Sequence, residues 1–238
     1  MPCSSWQIPQ RGKPQSSDPS IAVSLEQFTL RLKPEEVPND VATMLAEADR
    51  RCDDFFEAGL GRRYPRYLPS NPAIVHAAMV CLKETGYLRG NLFCEWGCGF
   101  GVATCMASLI GYEAYGIEIE PGLADLANQL AADHNIPVEI LCTSYLPEGY
   151  EECDGVGGKD LLTPEATTSP GESIDTTASY DGLDPAEVDL FFVYPWPGQE
   201  ELMMDLFSAV STEGAILLIY LGDREIAAYR RGVGDDDE

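Results

Sequence analysis

Two groups of residues in this chain have the types and the spacing to do chemistry. Glu95-Trp96-Gly97-Cys98-Gly99-Phe100-Gly101 sets three alternating glycines just behind a carboxylate. Glycines there let the backbone turn sharply and let a ligand approach with no Cβ in the way. A second carboxylate, Glu118 in Gly116-Ile117-Glu118-Ile119-Glu120, follows Glu95 by 23 positions. One carboxylate can accept two hydrogen bonds from a vicinal diol, and Glu120 is the alternative for that role. A dinucleotide site requires G-x-G-x-x-G, so that a pyrophosphate rests on a helix N-terminus. Here position 102 is Val, so the third glycine is out of register. Glu95 would repel a pyrophosphate and attract an ammonium or a sulfonium. The turn therefore suits a ligand that is positive at that end.

Other reactive types carry weaker signals. Eight cysteines (Cys3, Cys52, Cys81, Cys94, Cys98, Cys105, Cys142, Cys153) form no C-x-x-C pair, and the only histidines are His76 and His134. A zinc site needs clustered ligands, so no metal site is expected, and the cysteines read as buried, reduced thiols. Small size explains Cys98 inside the glycine turn better than nucleophilicity does. His134, at a helix end, reads as capping or exposed, and His76, on a helix near the chain that enters the first strand, reads as structural or as a base facing the site. Arg50, Arg51, Arg62, Arg63 and Arg66 form a basic cluster. It reads either as a solvated face in an acidic protein or as a contact surface for an anionic group.

The elements that must position these residues follow from periodicity. Residues 39–58 predict a helix capped by Asn39 or Asp40, and residues 71–85 a second, with Asn71 or Ser70 as cap, Pro72 at its first turn and Gly86 after it. From residue 91 the rhythm changes. Strands are expected over 92–96, 114–118, 138–142, 188–194 and 215–221, with helices over 102–110, from Pro121, and over 199–210. The alternation predicts parallel strands with helical crossovers. The first strand feeds the glycine turn, at the carboxyl end where open α/β sheets bind ligands.

In that context the sequence resembles the class I S-adenosylmethionine (SAM) dependent methyltransferases. Their first motif, an acid, any residue, then G-x-G-x-G, is matched fully by residues 95–101. The resemblance implies that Glu95, Gly97, Cys98, Gly99, Phe100 and Gly101 form the cofactor loop. It implies that Glu118 binds both ribose hydroxyls and that Ile119 packs on the adenine. The third motif aligns with Cys142-Thr143-Ser144-Tyr145-Leu146-Pro147, where Ser144 stands in place of an acid and Tyr145 is its neighbour. The fourth aligns with Tyr194-Pro195-Trp196-Pro197, which lacks the Asn or Asp of amino-directed enzymes. Tyr194 and Trp196 are the acceptor-side, catalytic candidates, or they simply pack at the strand end. Tyr64, Tyr67 and Ser70 are candidate lid residues. The whole chain also resembles a group of uncharacterised bacterial methyltransferase-like proteins, a similarity that names no substrate.

The resemblance implies an α/β, Rossmann-like three-layer sandwich with a mostly parallel sheet in the order 3-2-1-4-5. Few residues follow Leu221, so the sheet is expected to be truncated after strand 5, with at most one strand more. Residues 1–20 are expected to be a disordered tail, 21–90 an N-terminal helical extension and 91–231 the SAM-binding domain. Residues 147–187, rich in Gly, Thr, Ser, Pro and acids, form an acidic flexible insertion, and 232–238 an acidic tail. A net charge of −25 disfavours nucleic acid as partner. The expected acceptor is a small molecule or a protein. With no signal-like N-terminus and no apolar run near membrane length, a cytoplasmic protein is expected. The alternatives are a non-catalytic SAM-binding module that regulates or binds a partner, and a nucleotide-dependent oxidoreductase.

Overall fold

In the computed structural model, residues 24–33, 37–146 and 180–232 are described. The five expected parallel strands form: β2 (Leu92–Trp96), β3 (Glu113–Ile117), β4 (Val138–Leu141), β5 (Leu190–Val193) and β6 (Ile216–Gly222). They lie in the order β4-β3-β2-β5-β6, the expected 3-2-1-4-5 arrangement. β5 is buried along its whole length, as a central strand covered on both faces must be.

One strand follows strand 5, as the expectation of at most one more allowed, but the sheet is not truncated, because a strand from the 21–90 region is added at the same edge. β7 (Glu225–Arg231) returns antiparallel to β6, and β1 (Leu25–Phe28) pairs antiparallel with β7, giving seven strands. The β6–β7 hairpin turns on Asp223 and Arg224, whose φ angles are +42° and +72°. Two consecutive left-handed residues match the twist of the flanking strands, but Asp-Arg is not the glycine-bearing pair that marks such turns in a sequence. Nor is the 21–90 region purely helical, because β1 comes from it.

Helices cover both faces. α1 (Asn39–Glu57), α2 (Pro72–Thr85), α3 (Val102–Ile110) and α4 (Pro121–Asp133) share one apolar core with the sheet. α5 (Glu200–Val210) packs on the other face with Tyr180, Leu183 and Val188. Asn71 caps α2 as expected, its side chain accepting from the amides of Ala73 and Ile74. α1 differs from the expectation. Its cap position is Pro38, no side chain caps it, and Asp40 accepts only from the neighbouring Val41 amide.

Of the expected flexible insertion, residues 147–179 lie outside the described residues, as do the whole expected tail 1–20 and residues 233–238 of the acidic one. The end of the insertion, from Tyr180, is packed: Tyr180 and Leu183 are buried and Pro185–Glu187 form a short 3-10 turn. Among the described residues no helix is long and apolar enough to cross a membrane.

Candidate cofactor site at the carboxyl edge of the sheet

The chain order reverses at β2, whose neighbours are β3 on one side and β5 on the other. A crevice at such a switch point is where open α/β sheets take ligands. The expected site residues converge there, on the segments leaving β2, β3, β4 and β5.

Glu95, one residue before the end of β2, points to the α3 face and is buried. Its Oε2 accepts from the Thr104 amide at 2.8 Å and the Thr104 hydroxyl at 2.6 Å. The carboxylate thus satisfies a free amide in the first turn of α3, whose own N-cap, Gly101, has no side chain to do so. Burial pushes the Glu95 carboxyl up to about 8, against the two Thr104 bonds that favour the charged form. Thr104 is the partner that sequence reasoning missed. Its hydroxyl is one of many in a helix, and only the fold brings it to Glu95.

The glycine turn is pinned at both ends. The Gly97 and Cys98 amides both donate to the Ile117 carbonyl, at 2.9 and 2.8 Å. Gly99 has φ +55°, and its amide donates to Glu118 Oε2 at 2.8 Å. Glu118, just past β3, also accepts the Glu120 amide on Oε1 at 2.9 Å, while its own amide donates to Leu141. Burial pushes its carboxyl up from the ordinary value, and the amides of Glu120 and Gly99 pull the other way. A carboxylate has about four lone-pair sites, so with one amide on each oxygen, capacity for a diol remains. Glu120 is exposed beside it.

Gly97 is exposed and has φ +72°, and a Cβ placed on it would meet nothing within 4 Å. Open space therefore lies over the turn at that point. Cys98 is buried against Gly116 and Thr104: a Cβ on Gly116 would come within 2.9 Å of its sulfur. Burial also holds its thiol well above the usual range, so Cys98 is a small filler and not a nucleophile. The Phe100 ring is buried, stacked on Tyr67 at 4.4 Å and edge-on to Phe55 at 5.2 Å. Gly101 sits at the start of α3, where a Cβ would lie 3.0 Å from Ala127 of α4.

The segment before α2 lies over the turn. Tyr67 packs against Gly99 so closely that a Cβ there would stand 2.7 Å from its ring. The Tyr64 hydroxyl stands as close to Gly122 at the start of α4. Ser70, the third candidate of this segment, is half-buried beside Asn71.

On the β4 side, Ile119 is 40% exposed at the rim. The Ser144 hydroxyl is half-buried and accepts the Leu146 amide at 3.1 Å. Tyr145 leans into the α5-side core, its ring 6.2 Å from Trp96 and its carbonyl accepting the Tyr180 hydroxyl at 2.8 Å. At the exit of β5, Tyr194 is half-buried on the face shared with Glu95. It stands edge-on to Tyr220 at 4.8 Å, its hydroxyl near Gly222. Trp196 is 43% exposed on the rim.

A concavity of about 470 Å³ lies elsewhere, on the face of β3 and β4 turned away from α4. Its walls carry Glu113, Glu139, Asp181 and Glu187. No group of three or more His, Cys, Asp or Glu that could hold a metal ion occurs among the described residues, and none of the expected site residues lines this concavity, so the crevice at the glycine turn is the candidate site.

No family model matches this chain, and no curated protein matches it. Several solved structures share a general likeness. An RNA methyltransferase from Salinibacter ruber, in complex with S-adenosyl-L-homocysteine, is 15% identical; the match covers 72% of this chain and 96% of that one, with a TM-score of 0.43. A magnesium protoporphyrin IX methyltransferase from Synechocystis with bound SAM is 15% identical over 83% of this chain and 82% of that one, TM-score 0.42. A T. Thermophilus 16S rRNA N2 G1207 methyltransferase is 8% identical over 70% of this chain and 44% of that one, TM-score 0.44. Likenesses at this level assign neither family nor activity to the chain.

Proposed function

We propose that this chain binds SAM at the carboxyl edge of its sheet and transfers the methyl group to an acceptor. The observation that carries the reading is Glu118. Its carboxylate bridges the glycine turn and the exit of β3 through the amides of Gly99 and Glu120 and keeps lone pairs for a ribose diol. The donor set fits the cofactor and not a pyrophosphate. Glu95, Glu118 and Glu120 make the crevice acidic, which favours an ammonium and a sulfonium, and Gly97 leaves room over the turn.

When bound, SAM supplies a methyl activated by its sulfonium: the acceptor's lone pair forms the new bond as the carbon–sulfur pair returns to sulfur. The chain's own residues hold and orient. Glu95 and the turn receive the amino-acid end, Glu118 the ribose, and Ile119 and Ser144 flank the adenine. Tyr194 and Trp196 wall the acceptor side. No strong base is needed, because the rate gain comes from placing the acceptor in line with the methyl. The acceptor is a small molecule or a protein rather than nucleic acid, given the net charge of −25. The free cysteines fit a reducing, cytoplasmic location.

Tyr194-Pro195-Trp196-Pro197 offers no carboxylate or amide to orient an acceptor, which favours a second reading: a SAM-binding module without turnover. Titration with SAM and with NAD tests the cofactor. Binding of SAM alone supports it, whereas binding of NAD alone, or of neither, ends it. Formation of S-adenosylhomocysteine on adding acceptors separates the enzyme from the module.

A further inference from the structure

The chain carries 40 acidic residues, yet residues 58–83 contain none, while Arg62, Arg63 and Arg66 fall within that run. The arginines of α1 are neutralised. Arg50 pairs with Glu47 and Asp54, and Arg51 pairs with Glu47 and Asp133. Arg62 and Arg63 are exposed and have no carboxylate within 4 Å among the described residues. Arg63 lies over the Tyr64 ring, 5.3 Å from its centroid. Tyr64 touches the start of α4 and Tyr67 touches Gly99, so this turn is fastened to the glycine loop itself.

The same rim is apolar. Seven large hydrophobic residues are exposed among the described residues: Phe56, Leu60, Leu68, Tyr87, Ile119, Trp196 and Leu221. All but Tyr87 sit on the 56–68 segment or on the carboxyl ends of β3, β5 and β6. Exposed apolar groups gathered on one rim mark a binding surface more than scattered ones do.

Resting on the methyltransferase reading, the geometry points to an acceptor of one chemical class: a molecule with an apolar or aromatic body and one anionic group. Arg62 and Arg63 are its specificity determinants. The anion meets the two guanidiniums, which have no carboxylate partner among the described residues, and the apolar body lies along the rim toward Trp196. A guanidinium fork matches carboxylate, sulfonate and phosphate oxygens alike. A polyanion fits poorly. Only a few cations stand at this edge, and Glu120, Glu200 and Glu201 on the neighbouring elements would repel its phosphates.

The test uses the full chain and two fluorescent probes of matched shape, 8-anilinonaphthalene-1-sulfonate and the neutral N-phenyl-1-naphthylamine. Each is titrated into wild type, Arg62→Glu/Arg63→Glu and Arg62→Lys/Arg63→Lys. Charge reversal is expected to weaken the sulfonate about 10-fold or more, to leave the neutral probe within about 2-fold, and to leave SAM affinity unchanged. The lysine pair is expected to recover most of the loss. Equal sulfonate affinity in wild type and reversal variant would overturn the assignment. So would displacement of the sulfonate by a short RNA more readily than by an aromatic carboxylate. Failure of wild type to bind SAM, with the sulfonate still lost on reversal, removes the cofactor reading and with it the claim that the anion is a methyl acceptor.

Discussion

The Glu118 carboxylate accepts the Gly99 amide at 2.8 Å, so the exit of β3 holds the glycine turn that follows β2. A ribose-binding group and a ligand loop are thereby one unit. The loop cannot shift without moving the carboxylate, which is the rigidity a binding site needs.

Glu95 makes stability depend on pH. Its carboxyl, pushed up to about 8 by burial, is higher in the folded chain than in the unfolded one. Its contribution is complete below the ordinary Glu range, about 4.3. Stability is lost as pH rises from there through about 8, because the unfolded chain has already released the proton that the folded chain retains. Glu95→Gln is expected to flatten this decline relative to wild type, as read by urea unfolding at several pH values. A ligand ammonium at Glu95 would draw the proton off. Calorimetric heats of SAM binding near neutrality should therefore vary with buffer ionisation enthalpy, and should do so less in Glu95→Gln.

Thr104→Val removes the hydroxyl that donates to Glu95 at 2.6 Å and leaves the amide. The expected cost is about 1–3 kcal/mol, the usual range for leaving a buried polar group without its hydrogen-bond partner. Denaturant unfolding checks it. An unchanged midpoint would mean that the pair contributes little to holding α3 on the sheet.

Gly99→Ala meets two obstacles, a φ of +55° and the Tyr67 ring 2.7 Å from the new methyl. A loss of about 1–3 kcal/mol is expected. Tyr67→Ala should relieve the steric part but not the backbone part. A double-mutant cycle should then give a coupling of about 0.5–3 kcal/mol, and additivity would mean that the ring does not rest on the turn.

Much of this arrangement is legible in the sequence, because the central strands and helices are long in apolar pattern and closed by glycine and proline signals. β2 to β6, α2 and the glycine turn all follow from that. β1 does not. Leu25–Phe28 is four residues with two apolar positions, and it becomes a strand only because β7 offers a partner. β7 hides behind a turn, Asp223-Arg224, that carries no glycine. Tyr180 and Leu183 lie in a stretch whose composition reads as solvated, yet they are buried against the sheet. Composition averages over a segment, whereas packing selects single residues. At the site, the carboxylates and glycines are visible by spacing. The Thr104–Glu95 bond and the Tyr67–Gly99 contact require the third dimension.

The most direct measurement is calorimetric titration of the full chain with SAM, in wild type and Glu118→Ala, with unfolding curves to show that both are folded. The account predicts saturable binding by wild type and an affinity at least about 10-fold lower in the variant, the loss of roughly one charge-assisted hydrogen bond. No binding by folded wild type, or equal affinity in the two proteins, would contradict it.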